Sequence, residues 1–377
     1  MRFDIVIIGA GMAGASLAAE LAASGKSILI LEAEDQPGYH TTGRSAAFWH
    51  ESYGGPEIQP LTTNSLAFLG SPPKDFSEYG FLTPRHAVTL GRAEDTAEMQ
   101  KFRDDFAASG VEMQDLDRAA LSEVVPGLLP EWTQGISEPS CADIEVGGLH
   151  SAYLRWAKKG GVELKTRAAV QSASRQSDGS WLINTSTGDF EAGIIVNAAG
   201  AWADDLAAKA SVAPVGVQPY RRTLLQLRLG RPTPAELPLV IDVNGSFYFK
   251  GESEGKIWLS PHDEIPDEAR DVSPEDLDVA IAIDRLEHVV DWPIAAVERK
   301  WAGLRSFAPD RLPVIGFDPL VPSFFWLAGQ GGYGIMTAPA VAALAGRLIA
   351  GERADALHAS IGGLPKAEFF SPDRFDL

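Results

Sequence analysis

The chain has 377 residues, enough for two or three domains around a large core, and its 45% hydrophobic and 22% charged content is that of a globular protein. A formal charge of −19, from 32 basic against 51 acidic residues, disfavours nucleic acid and anionic membrane as partners. The single cysteine, Cys141, excludes an intrachain disulfide and any metal site built from several thiolates. No apolar stretch reaches the roughly 18 residues of a spanning helix, so a cytoplasmic protein without an integral membrane segment or a metal is expected. The apolar run after Arg2 superficially resembles a signal peptide, but it continues into a glycine pattern with a structural task and is read as mature protein.

The first predicted unit is "FDIVIIGAGMAGASLAAELAASGKSILILE", Phe3 to Glu32. Ile5 to Ile8 read as a buried parallel strand, followed by Gly9, Gly11 and Gly14 in G-x-G-x-x-G spacing. An Ala- and Leu-rich helix containing Ala13 comes next, stopped at Gly25, and Ser27 to Leu31 form a second strand with Glu32 at its end. Gly9 permits the tight turn, Gly11 admits a pyrophosphate to the backbone, and Gly14 lets helix and strand approach. The helix N-terminus favours the phosphate, and Glu32 suits ribose hydroxyls. The whole reads as a dinucleotide site.

Further along, "VELKTRAAVQSASRQSDGSWLINTSTGDFEAGIIVNAAGAW" reads as short strands with turns at Ser177–Gly179 and Thr187–Asp189, ending in a buried strand at Gly193–Val196. "SPEDLDVAIAIDRLEHVVDW" reads as an amphipathic helix with Glu275 and Asp276 in its first turn. A second G-x-G-x-x-G match lies at Gly329, Gly331 and Gly334, with Glu352 at the offset of an acid. "GERADALHASIGG", which follows the helix, has no β-branched run to carry such an acid, so a second nucleotide site is rejected. The segment is read instead as a glycine-rich turn delivering a helix N-terminus near Ile335, where free amides would stabilise negative charge on a reduced flavin.

The β–α–β unit, the small meander, the strand ending in "NAAGAW" and the late "GQGGYGI" together resemble the D-amino-acid oxidase family of FAD enzymes. "PGYHTTGRSAAFW", "QPYRRTLLQL", "SFYFK", "LSPHDEIP", "KWAGLRSFAPDRLPVIG" and "FFWLAGQGGYGI" spread the likeness end to end. They are most similar to the bacterial D-arginine dehydrogenase branch of that family. The resemblance implies non-covalent FAD and an α/β fold, α+β in part: a Rossmann-type FAD domain of the glutathione-reductase type and a substrate domain with a large mixed or antiparallel sheet over the flavin. The expected FAD domain is 1–75, 145–217 and 300–377, and the substrate domain 76–144 and 218–299.

The resemblance also implies site residues. Arg222 and Arg305 match a pair gripping the substrate carboxylate, a task suited to bidentate guanidiniums. Strand alternation lets only one of Arg221 and Arg222 face the pocket, and Arg222 shares its face with Leu224 and Gln226. Tyr53 and Tyr248 match tyrosines that place hydroxyls near the carboxylate or amine, and the four are the expected catalytic set. Phe48, His50, Ala87, Gly332 and Met336 are the expected walls of the substrate pocket. The cofactor would meet Gly9, Gly11, Ala13, Gly14, Glu32, Ala33, Thr42, Arg44, Ser45, Ala46, Ala47, Val170, Ala199, Gly200 and Trp202. Gly303, Arg305, Gly331, Gly332, Tyr333, Gly334 and Ile335 would line its flavin end.

The implied reaction oxidises a D-amino acid by hydride transfer from Cα to flavin N5, followed by hydrolysis of the imino acid to a 2-oxo acid and ammonia. No general base is evident in the sequence. Electrons would leave to a quinone, a carrier protein or oxygen. The family branch has a His where this chain has Phe48, a carboxylate at Ala87 and a polar amide at Met336. Those departures predict an apolar pocket that rejects D-Arg and D-Lys in favour of apolar, aromatic or cyclic substrates, because a cation there would be desolvated without a partner. Two other readings stand beside this one. The first is an oxidase or dehydrogenase of secondary amines (glycine-, sarcosine- or proline-like) or 2-hydroxy acids. The second is a non-catalytic flavin subunit of an electron-transfer complex, which would have lost the pocket arginines.

Overall fold

A computed structural model describes residues 1–234, 236–351, 357–358, 361 and 363–375. The N-terminal strand, Arg2–Ile8, sits at the centre of an eight-stranded sheet. Its parallel neighbours are Gly188–Asn197 on one side and Ile28–Leu31 on the other, with Glu163–Lys165 beyond the latter. Phe324–Ala328 joins Gly188–Asn197 in parallel, and the antiparallel meander Val170–Arg175, Trp181–Thr185 and Gly188–Asn197 completes that flank. The second meander turn closes one residue earlier than the glycine suggested, since Gly188 already belongs to the strand.

The parallel strands are buried on both faces, which is why Ile5–Ile8, Ile28–Leu31 and Phe324–Ala328 read as unbroken apolar runs. One face is covered by the helices Met12–Leu21, Val146–Lys159 and Ala338–Ala350, the first packing against both others. The last helix starts at Ala338, after a turn running from Gly331 to Thr337, so the helix N-terminus expected near Ile335 lies three residues later. No strand follows that helix among the described residues, and Glu352 lies outside them.

The second sheet has nine strands and is mixed. Its backbone is the antiparallel pair Gln218–Leu229 and Ile294–Phe307, extended through Lys256–Ser260, Tyr248–Ser253, Leu239–Asp242, Ala87–Arg92, Trp132–Glu138 and Gln114–Leu116. Leu239–Asp242 and Ala87–Arg92 run parallel and the other pairs antiparallel. The boundary expected at residue 300 falls inside the strand Ile294–Phe307, which stays paired to Gln218–Leu229 along its length. A small sheet of Phe48–Trp49, Ala142–Ile144 and Leu82–Pro84 bridges the two large ones.

Candidate active site

Gly9 has φ of 105°, a conformation that favours glycine, and a Cβ there would meet the Ala198 carbonyl oxygen at 2.4 Å. A Cβ on Gly14 would meet the Gly9 oxygen at 2.0 Å, so these two glycines are demanded by backbone packing rather than by a ligand. Glu32 is buried, and its carboxylate accepts from the Ala10 amide at 2.8 Å and the Glu34 amide at 3.0 Å. The acid at the second strand's end thus braces the glycine turn, and each oxygen keeps a lone pair for a further donor.

A cavity of about 410 Å³ runs from this turn across the ends of the parallel strands to the arginines of the second sheet. It is lined by Gly9, Gly11, Ala13, Glu32 and Ala33 at one end, by Thr42, Arg44, Ser45, Ala46, Val170, Ala199, Gly200 and Trp202 along its length, and by Gly303, Arg305, Gly331, Gly332, Gly334 and Ile335 at the other. Gly14, Ala47 and Tyr333 do not line it. Gly14 packs against the first strand, and Ala47 and Tyr333 are buried in the main core. The Tyr333 hydroxyl donates instead to the Arg311 carbonyl. Met12, Lys209 and Gln330 also line the cavity, though nothing local in the sequence marks them.

The loop 38–47 closes one side. Thr42 Oγ1 accepts from the Met12 amide at 3.0 Å, and Thr41 donates to the Leu304 carbonyl at 2.7 Å. Arg44 is anchored by Asp271 at 2.6 Å and by the carbonyls of Val272 and Ala302. Its guanidinium therefore ties the loop to the second sheet, and only its position beside the cavity matches the expected cofactor contact.

The register of the second sheet gathers the remaining side chains. Arg222 stands opposite Gly303, and Tyr220 opposite Arg305, so the two arginines rise from neighbouring strands two positions apart on one face. On the same face, Ile241 faces Tyr248 and Leu239 faces Ala87 across their strand pairs. Arg221 points the other way, to Asp278 at 3.1 Å and Glu275 at 2.6 Å.

Arg222 is 2% exposed, with Nε donating to the Asp263 carbonyl at 2.6 Å and Nη2 to Glu264 at 3.1 Å, while Nη1 is buried without a partner. Burial and then the neighbouring charge of Arg305 lower its proton affinity. Arg305 donates from Nη1 to the Tyr53 hydroxyl at 2.5 Å. Burial alone would raise the Tyr53 phenol, but the charges of Arg305 and Arg222 outweigh it and hold the group below its usual range. The Tyr248 hydroxyl is buried and unpartnered. A Cβ on Gly332 would sit 2.7 Å from Arg305 Nη1 and 3.0 Å from the Tyr53 hydroxyl, so glycine keeps space open beside these two groups.

Phe48 packs edge-on against Tyr53 and Tyr248 with ring centroids 5.3 and 5.9 Å away, in an apolar cluster with Ala87, Leu239 and Ile241. The expected wall needs two corrections. Met336 lies in the main core rather than in the cluster of Phe48 and Ala87. The wall is also not wholly apolar: Glu138 stands directly across from Ala87 on the adjacent strand, fully buried, with His50 Nε2 at 3.0 Å. Burial acts to raise the Glu138 carboxyl, but His50, Ser52 and the Glu51 amide overcome it, and the group stays below the usual carboxylate range. His50 is therefore held by Glu138 and lies with its ring stacked 6.5 Å from that of Tyr53.

Sequence reasoning also missed His262. It follows Pro261 with φ of 51°, and its ring lies 5.5 Å from that of Tyr248 and 6.3 Å from that of Tyr53. The only sequence signal was its place inside "LSPHDEIP", next to the Asp263 and Glu264 that clamp Arg222.

A nucleotide-type β–α–β unit opening into a long cavity, which ends against the buried Arg222 and the half-buried Arg305, defines a cofactor-dependent oxidoreductase. The chain belongs to the FAD dependent oxidoreductase (DAO) family, whose model matches residues 4–348, and FAD is its cofactor. The glycine turn, Glu32 and the continuous lining described above fit that group. The chain is 27% identical over 95% of its length to the bifunctional protein ThiO/ThiG of Nostoc sp., and 26% identical over 90% to mitochondrial dimethylglycine dehydrogenase of Mus musculus. It spans 54% and 41% of those relatives, about half the length of the curated proteins it matches. The fold superposes on L-proline dehydrogenase from P. horikoshii with a TM-score of 0.84 at 23% identity, covering 100% of this chain and 98% of the other. No helix among the described residues is long and apolar enough to cross a membrane.

Proposed function

We propose that the protein oxidises the carbon–nitrogen bond of a small amino acid, with Arg222 and Arg305 holding the substrate carboxylate. The observation that carries this reading is the buried Arg222 Nη1 without a partner, beside Arg305 and the equally unpartnered Tyr248 hydroxyl. Buried donors are seldom left unmatched, and a carboxylate supplies the missing acceptors. FAD, when bound, supplies the acceptor for the two electrons of the C–H oxidation. Tyr53, bonded to Arg305, orients that guanidinium, and Gly332 leaves the carboxylate room to enter.

The substrate we favour is a D-amino acid with an apolar, aromatic or cyclic side chain. Phe48, Ala87, Leu239 and Ile241 offer no charge to a basic side chain, and the carboxylates beside them are already engaged, Glu138 by His50 and Asp143, opposite Phe48, by Arg85 and Lys250. A secondary or tertiary amine acid is an equal alternative. Dimethylglycine dehydrogenase and L-proline dehydrogenase bear names of that chemistry, and the closely packed Phe48, Tyr53 and Tyr248 suit a small or cyclic substrate. The division into a FAD domain and a substrate domain, each built around one large sheet, belongs to the same proposal, as do the cofactor contacts of the lining residues.

Anaerobic bleaching of the bound flavin by a panel of D-amino acids, N-methylated glycines, proline and 2-hydroxy acids tests both. Fast bleaching by D-Arg or D-Lys sinks the apolar-pocket reading, and bleaching by no amine at all sinks the reaction class.

A further inference from the structure

Both arginines of the anchoring site can only donate, and the Tyr53 oxygen is already bonded to Arg305. An α-amino acid arrives at neutral pH as an ammonium, whose nitrogen has no lone pair to support loss of the Cα hydrogen. We infer that His262 accepts that proton: its ring lies against Tyr248 and Tyr53 on the anchoring face, and Nε2 is its free nitrogen. The inference rests on the proposed oxidation of an amino acid and supplies the base that the sequence did not reveal.

The tautomer is fixed by the backbone. Nδ1 lies 2.8 Å from the Gly245 carbonyl oxygen, which accepts only, so Nδ1 carries the hydrogen. Nε2 then bears a lone pair, and it has no hydrogen-bond partner among the described residues. The left-handed backbone at residue 262, φ 51°, holds the ring there at a cost that a mere connecting loop would avoid.

The charged and titratable groups around the ring are Arg222 and Arg305 from the long strand pair, Arg285 from the helix Asp276–Glu287, and Tyr53 and Tyr248. Asp263 and Glu264 adjoin it in the chain and bind Arg222. Burial and then the charges of Arg222 and Arg305 push the imidazole down to about 2, so before a carboxylate binds it is neutral and unprotonated. A substrate carboxylate between the guanidiniums offsets those two charges and raises the ring's proton affinity at the moment the ammonium arrives. The proton leaves the substrate nitrogen and bonds to Nε2, and no electrons change hands. The neutral amine then stabilises the forming C=N bond as the Cα–H pair departs.

The test compares His262→Asn and His262→Gln with the wild type by anaerobic stopped-flow flavin reduction across pH. At neutral pH the variants reduce more slowly by about 10²–10⁴-fold, the usual worth of a positioned base. The gap closes above the pKa of the substrate's own ammonium, where the amine arrives neutral. A gap of constant size at every pH means a structural role and overturns the inference. A second readout needs no turnover and no variant fold: the ¹⁵N signal of His262 Nε2 in the wild-type holoprotein, titrated with and without benzoate. Protonation at higher pH with benzoate supports the inference, and an unmoved titration overturns it. If no amine or amino acid bleaches the wild-type flavin, the reaction class fails instead, and the benzoate titration still reports separately on the ring.

Discussion

The two ends of the long cavity are made of different materials. The end beside the N-terminal strand is made of backbone: Gly9 and Gly14 are excluded from carrying side chains by contacts of 2.4 and 2.0 Å with main-chain oxygens, and even Glu32 binds amides. The end beside the second sheet is made of side chains: Arg222 and Arg305 line it, and Tyr53, Tyr248 and His262 pack around them from three other places in the chain. A backbone-built end suits the part of a cofactor that every FAD shares. A side-chain end can be rewritten one residue at a time without disturbing the fold, which is where a family diversifies its substrates.

Substitutions should therefore fail differently at the two ends. Gly14→Ala, which drives a methyl into the Gly9 oxygen, is expected to abolish accumulation of yellow holoprotein, read by the flavin absorbance of purified material. If Gly14→Ala retains full flavin, the backbone account of that end is wrong. At the other end, Arg222→Ala should leave flavin content intact and lower kcat/KM for flavin reduction by about 10²–10³-fold, the cost of one buried charge-assisted contact and its orphaned partners. A variant of Arg222 that loses its flavin instead would merge the two ends into one cooperative unit.

Breaking the His50–Glu138 pair should cost stability rather than flavin. His50→Ala leaves a buried carboxylate with less than its full set of partners and is expected to destabilise by about 3 kcal/mol in urea unfolding. The smallest effect concerns pH. His262 is unprotonated in the fold down to about 2 but takes a proton near 6.5 when unfolded, so the unfolded state gains a proton as pH falls through 6.5. Stability from this group is present above 6.5 and is lost on acidification by about 1.4 kcal/mol per pH unit. His150, whose ionisation is lowered by burial, acts in the same direction. Unfolding midpoints measured between pH 7 and 5 should fall less in His262→Asn than in the wild type.

The same contrast explains what the sequence could tell. A strand, three glycines, a helix and an acid within 32 residues state a backbone problem locally, and the β–α–β unit was legible for that reason. The arginines were legible only through resemblance, since their face depends on pairing between strands some 80 residues apart in the chain. Glu138 was missed because its place opposite Ala87 is a matter of register between Ala87–Arg92 and Trp132–Glu138, which no local pattern encodes. Met336 was misassigned for a related reason: the turn from Gly331 to Thr337 delays the helix and carries that side chain into the main core. His262 was invisible because its left-handed backbone follows from the tertiary clamp on Arg222, and nothing in a proline followed by histidine announces it.

One consequence follows from the pair of long strands that root Arg222 and Arg305. Their spacing is set by a ladder of main-chain hydrogen bonds running from Gln218–Phe307 to Leu229–Ile294, not by a hinge or a loop. The grip on a carboxylate proposed for these arginines would thus be a ruler fixed at the time of folding, so catalytic competence and the integrity of the sheet should be lost together on heating. A loss of activity that precedes unfolding would then be traced to the loop at residues 38–47 or to the flavin itself, and not to the anchors.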